Sequence, residues 1–186
     1  MRIGYSSSGG GEKAPAGAHV AVLAAAYDIG RQERRFQDDV KVAHQVILVW
    51  EIDKRDSKGR RFTLTDYVTA STNEKSGMFK RVQALLGRVP TDDDFDTIVL
   101  LGKSCYVMVA PPKAADGWPR LSDFFPLPPG AKAITPEFKA DGPVPSYVEK
   151  ARAKAVGGWR PLPESAPRSI ASPAPTRESG GDEIPF

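Results

Sequence analysis

Apolar and polar positions along this chain alternate with a period of two over three stretches, shift to a period near 3.6, and then return to two. His19–Ile29 is an apolar run rich in Val and Ala, closed by Asp28 and Gly30, and predicts a first strand. Val40–Ile52 predicts a long second strand, with Val40, Val42, His44, Val46, Leu48, Trp50 and Ile52 on one face and Lys41, Gln45 and Glu51 on the other. The Asp, Ser and Gly of Lys54–Arg60 predict a turn. A third strand follows, with Phe62, Leu64 and Val68 on one face and Thr63, Thr65, Tyr67 and Thr69 on the other. That alternation predicts one face against a core and one toward solvent or ligand.

The period then becomes helical. Ser71-Thr72-Asn73-Glu74 reads as a capping box, Met78, Phe79, Val82, Leu85 and Leu86 form an apolar stripe, and Gly87 ends the helix. Thr91 with Asp94 predicts a second, short helix carrying Phe95, Ile98, Val99 and Leu101, ended by Gly102. Ser104–Ala110 and Arg120–Leu127 predict strands four and five. Three strands, a helical insertion, then two strands is the order of the five-stranded Greek-key barrel of the OB-fold, a mainly β architecture whose helix between strands 3 and 4 plugs one barrel end. An SH3-like barrel or an open meander would need no capped amphipathic helix there.

Proline placement sets the boundaries. Only Pro15 and Pro90 precede residue 110, and the other fifteen of the 17 prolines follow it. Residues 1–17, with Ser6-Ser7-Ser8-Gly9-Gly10-Gly11, read as a flexible arm. Residues 18–128 form the expected domain, 129–164 a Pro-containing extension with a short helix near Ser146–Val156, and 165–186 a solvated linker and tip. Trp159 is expected to pack back on the barrel or against a neighbour.

Composition narrows the chemistry. The lone Cys105 precludes an internal disulfide, and with only His19 and His44 the chain lacks a thiolate–imidazole zinc set. No run of about 18 apolar residues and no signal-peptide pattern is present, so the expectation is a cytoplasmic protein without a membrane span. Asp92, Asp93, Asp94 and Asp96 read as helix-start acids before a magnesium site. His44 reads as a core histidine and Cys105 as a small buried apolar residue. No phosphate loop or nucleophile elbow is present, and neither an enzyme nor a cofactor is expected.

The net charge of +3 conceals opposed segments: residues 1–90 hold fifteen Lys or Arg against ten Asp or Glu. The expected first interstrand loop supplies Arg31, Arg34, Arg35 and Phe36, and the second supplies Lys54, Arg55, Lys58, Arg60 and Arg61. Lys75, Lys80 and Arg81 extend the positive track along the helix. On an OB-fold the ligand lies across strands two and three. A basic track with aromatic platforms suits single-stranded nucleic acid, because phosphates supply affinity and every base offers a stacking face. Tyr67, among threonines, is the first stacking candidate, with Tyr106 and Phe36 behind it; Trp50 reads as core.

The C-terminal GGDEIPF sets two carboxylates before Ile-Pro-Phe and the terminal carboxylate, a shape suited to a small apolar pocket with a basic rim on a partner. It resembles the acidic tip of bacterial single-stranded-DNA-binding proteins, which typically reads Asp-Asp-Asp-Ile-Pro-Phe. Asp182, Glu183, Ile184, Pro185 and Phe186 match residue by residue, with Glu for one Asp and Gly181 where a further acid is usual. Residues 16–128, through "HQVILVWEID", "YVTASTNEKSGMFKRVQALLGR", "FDTIVLLGKSCYVMV" and "LSDFFPLP", resemble bacteriophage-encoded OB-fold single-stranded-DNA-binding proteins. Thr69–Ser76 is the most distinctive part of that resemblance.

The resemblance implies a protein that coats and protects single-stranded DNA in phage replication or recombination within a host cytoplasm and recruits enzymes through the tip. It carries no assumption of tetramers, and self-association is left open. A strand-annealing or recombination-mediator protein is the nearest alternative, and an OB-fold adaptor for a protein target is the second.

Overall fold

The computed structural model describes residues 12–36, 39–114, 117–139 and 142–160. Five strands form one antiparallel sheet in the order β3-β2-β1-β4-β5. They are β1 (Gly17–Phe36), β2 (Asp39–Arg55), β3 (Arg61–Thr69), β4 (Ser104–Ala110) and β5 (Arg120–Phe125). Between β3 and β4 lie helix α1 (Gly77–Leu86), a 3-10 turn (Asp92–Phe95) and the single turn α2 (Thr97–Leu100); α3 (Ser146–Arg152) follows β5. Among the described residues, no helix is long and apolar enough to cross a membrane.

The first strand departs from its expected limits. Rather than ending at Gly30, β1 continues to Phe36, so Arg31, Arg34 and Arg35 are strand residues paired with His44, Lys41 and Val40, not loop residues. Two register irregularities make this possible. One, between Leu23 and Ala25, moves the inward side chains to the opposite parity: Ala21 and Leu23 join one core, Ala25 and Ile29 another. The second, between Asp28 and Arg31, places Gly30 at φ +71°, where its N–H donates to Asp28 Oδ1 at 2.7 Å. A sequence break signal thus marks a bulge, and the chain beyond it forms a two-stranded ribbon.

The long β2 is buried on both faces from Gln45 to Ile52, against the expectation of one core face and one polar face. Its even positions Val46, Leu48, Trp50 and Ile52 join Leu64, Val82 and Val107 in the main core under α1. Trp50 is fully buried, as expected, with the Phe124 ring 5.2 Å away. Its odd positions Ile47 and Val49 enter a second cluster with Ala25, Ile29, Val148 and Ala151, closed by α3. The face bearing Tyr67, expected to meet solvent or ligand, is therefore covered by the C-terminal extension.

Helix α1 begins later than its expected cap. Ser76 is the N-cap, its hydroxyl accepting from Phe79 N at 3.0 Å and donating to the Ser71 carbonyl, whereas the Ser71 hydroxyl accepts from Asn73 N within the preceding turn. Gly87 ends the helix in the left-handed region at φ +69°, as its position predicts. The second helix divides into the 3-10 turn and α2. The Thr91–Asp94 capping box forms, but Ile98 is 74% exposed and contributes no buried stripe. Part of the expected N-terminal arm packs on the body: Ala14 reaches the main core and the Glu12 carboxylate accepts from Ser57 N.

Candidate nucleic-acid interface

The basic residues predicted for the two interstrand loops lie at opposite ends of β2, apart from Lys75, Lys80 and Arg81 at α1. Arg31, Arg34 and Arg35 lie on the ribbon at the Asp39 end, and Lys54, Arg55, Lys58, Arg60 and Arg61 surround the β2–β3 turn. From Val40 to Lys54 the strand spans up to about 46 Å at roughly 3.3 Å per residue. The two groups are ends of a long track and do not share one pocket.

On the ribbon, Arg31 and Arg35 share a face with Val40, Val42 and His44, and Arg34 with Lys41 lies on the other. Arg35 pairs with Glu33 at 3.0 Å, and Arg34 reaches Gln45 Oε1 at 3.5 Å. The exposed Arg35–Glu33 pair is weak and exchangeable for phosphate oxygens. Val40 is 54% exposed, leaving apolar surface beside the guanidiniums. Phe36 closes the ladder opposite Asp39, and its ring lies outside the described part of the chain. At the ribbon's base, His44 Nε2 meets Asp28 Oδ1 at 2.7 Å. His44 is thus half-buried beside the bulge, not a core histidine.

At the other end, the turn is built on Asp56, whose carboxylate accepts from the backbone of Lys58 and Arg60 and from the Arg60 guanidinium. Those bonds, the Arg60 backbone first, hold its pKa below the usual carboxylate value. Arg55 donates to Gly59 O at 2.6 Å and ion-pairs with Glu137; Arg61 pairs with the same carboxylate at 3.1 Å. Hydrogen bonds from Arg55 and then Arg61 depress the Glu137 pKa.

The aromatic candidates separate. Tyr67 packs into the second cluster with Tyr27, Phe138 and Tyr147 beneath α3, so it is no open platform. Burial pushes the Tyr147 phenol up to about 12, with Tyr27 beside it adding to the shift. Tyr106 stands on the outward face of β4 directly opposite Phe125 of β5, which is 49% exposed. This cross-strand pair is the open aromatic surface, and Phe125 was missed because Leu121-Ser122-Asp123-Phe124-Phe125 does not reveal which Phe faces inward. Phe125 also lines a cleft of about 450 Å³ between α1 and β5, together with Lys80, Arg81, Arg88 and Phe124. Arg81 is committed there, ion-paired with Asp66 and with its guanidinium 4.4 Å over the Phe124 ring. Lys75 is exposed on the turn before α1.

The acidic cluster does structural work. Asp94 accepts from Thr91 N and from Arg88, which holds its carboxyl well below the ordinary range, and Asp96 caps α2 through Ile98 N. No group of three or more potential ligands that could hold a metal occurs among the described residues. Cys105 is buried, and desolvation pushes its thiol up to about 12. The tip residues Asp182, Glu183, Ile184, Pro185 and Phe186 lie outside the described residues.

Sequence reasoning also missed Glu137 and the covering of the sheet by the segment that carries it, although Trp159 packs back on β1 at Gly30, one of its two expected placements. The signal present was the unbroken apolar run Val46–Trp50, which marks a strand buried on both faces. No protein-family model matches this sequence, and no curated protein matches it.

Proposed function

We propose that this chain is a non-enzymatic single-stranded-DNA-binding protein of the OB type, which coats and protects exposed strands during phage DNA replication or recombination. The strand order supports the OB reading: β1 is flanked by β2 and β4, the sheet edges are β3 and β5, and these edges also approach each other. That is the neighbour relation of a five-stranded Greek-key barrel with α1 inserted between strands 3 and 4.

The observation that carries the binding reading is the β1–β2 ribbon, which presents Arg31, Arg34 and Arg35 on an exposed two-stranded arm. Guanidiniums on such an arm meet a phosphate backbone without any sequence requirement. The outward Tyr106–Phe125 pair supplies the stacking surface that sequence-tolerant binding uses. The Asp182–Phe186 tip is the proposed recruiting element for replication or recombination enzymes, on the strength of its sequence alone.

Titration of labelled oligo-dT and of a matched duplex, at two or more salt concentrations, tests this reading. Tight binding to oligo-dT, weaker binding to duplex, and a log–log salt slope of about −0.7 per neutralised phosphate are expected. Equal affinity for duplex, or affinity independent of salt, overturns it.

A further inference from the structure

Residues 131–139 and 142–152 cross the outward face of the sheet and are held there by contacts of a particular kind. Ser104 Oγ bonds both the N–H and the carbonyl of Ile134 at 3.1 Å. The Glu137 N–H donates to Glu51 Oε2 at 2.6 Å, and the Glu137 carboxylate lies between Arg55 and Arg61. Further along, the Ala151 carbonyl accepts from Gln32 Nε2 at 3.1 Å and Arg152 Nε donates to Asp28 O at 3.0 Å. Val148 is fully buried against the sheet.

Two guanidiniums from adjacent strand ends converging on one anion is an arrangement that holds phosphate as well as carboxylate. The Arg55 and Glu137 side chains are 47% and 44% exposed, so a solvent-borne anion reaches Arg55 directly, whereas the Arg61 side chain, 14% exposed, lies beneath the cover. The cover itself has little structure of its own. The path from Pro126 to Pro145 contains no helix or strand among its described residues, and α3 spans only seven residues. A helix that short is not stable in isolation, so its order depends on docking. Docking also holds the Glu51 carboxylate at 4% exposure beside the Glu137 carboxylate, a placement that opposes ionisation of Glu51.

We propose that residues 131–139 and 142–152 form a displaceable strap that competes with single-stranded DNA: Glu137 occupies a phosphate position between Arg55 and Arg61, while Phe138, Tyr147 and Val148 cover the surface around Tyr27 and Tyr67. Strand binding lifts the strap, opening a path from the ribbon arginines to the β2–β3 turn. This inference rests on the single-strand reading, and the ribbon alone would serve that reading with the strap closed.

The test uses the full chain, with hydrogen–deuterium exchange over residues 131–160 measured with and without oligo-dT. Oligo-dT affinity is measured for the wild type, Glu137→Gln and Val148→Asp. Oligo-dT should accelerate exchange in the strap. Each variant should bind oligo-dT at least about threefold more tightly, because apparent affinity rises with the open population. Glu137→Gln keeps the side chain's size and the buried seat of α3, so it remains informative if Val148→Asp fails to fold. Equal affinities, with strap exchange unchanged by oligo-dT, overturn the strap while leaving the single-strand reading intact. If no form binds oligo-dT, the single-strand reading itself falls and the competition with it.

Discussion

The indole of Trp159 lies against Gly30, so closely that a Cβ at Gly30 would come within 3.3 Å of Trp159 Cδ1 and 3.4 Å of Ala155 Cβ. The glycine is also at φ +71°, a conformation that side chains disfavour. The Arg152 guanidinium covers the other part of the same ring, 3.9 Å from its centroid. Bulge and extension therefore pack against each other at this point. Gly30→Ala should cost about 1–2 kcal/mol from backbone strain alone, with further loss from displacing the indole. Thermal unfolding and Trp fluorescence check this; an unchanged Tm would show that the bulge tolerates a side chain.

Replacing Arg31, Arg34 and Arg35 together by Ala should weaken oligo-dT binding strongly and flatten the salt slope by about 0.7 for each phosphate that is no longer neutralised. The residues are exposed, so stability should change little. Titration across salt concentrations measures both quantities, and an unaltered slope would remove the ribbon from the interface.

Tyr106→Ala and Phe125→Ala should each lower oligo-dT affinity by about 1–3 kcal/mol while leaving the fold intact. Tyr67→Ala should act differently. Its ring packs in the cluster under α3, so the expected loss is in thermal stability and in protection of the strap amides. Parallel melting and binding measurements on the three variants separate a stacking role from a packing role.

Burial raises the Glu51 carboxyl above its ordinary 4.5, so the folded protein holds that proton more tightly than the unfolded chain. The stabilisation from protonated Glu51 is complete below 4.5 and is lost as pH rises through the raised value. Glu137 runs the other way: its depressed pKa contributes stability above the ordinary value, lost as pH falls through the depressed one. Glu51→Gln, which still accepts from Glu137 N–H, should therefore raise Tm at neutral pH and converge on the wild type in acid. A lower Tm at neutral pH would mean that the ionised carboxylate stabilises its site.

Cys105 is fully buried, with its thiol pushed up to about 12, so thiolate is scarce at ordinary pH and reagents have no access. Labelling by a disulfide reagent near pH 8 should proceed only as fast as the protein opens, and rapidly in denaturant. Fast native labelling would place the residue at the surface.

Most of the regular structure could be read from local pattern. The fourth strand, Ser104–Ala110, and the helix stop at Gly87 match their sequence signals, because alternation and a left-handed glycine act over a few residues. Ser71-Thr72-Asn73-Glu74 misled because Ser76, five residues on, competes for the same helix start and wins the bond to Phe79 N. The basic positions of the site were legible as well; their grouping was not, since pairing Arg35 with Val40 and leaving Lys54 at the far end of β2 depends on strand length and register.

The sequence by itself determined the strand and helix order, the burial of Trp50 and Cys105, and the uneven charge of the chain, all of which follow from neighbouring residues and from burial of apolar surface. Only the tertiary structure decided which face of the sheet stays open. A shift of one residue between Leu23 and Ala25 sends Ala25 and Ile29 to the second cluster, and α3 closes over them with Val148 and Ala151. Side-chain direction in a strand reverses with each residue, so that face assignment comes from register and from a partner segment far along the chain, neither of which local periodicity encodes.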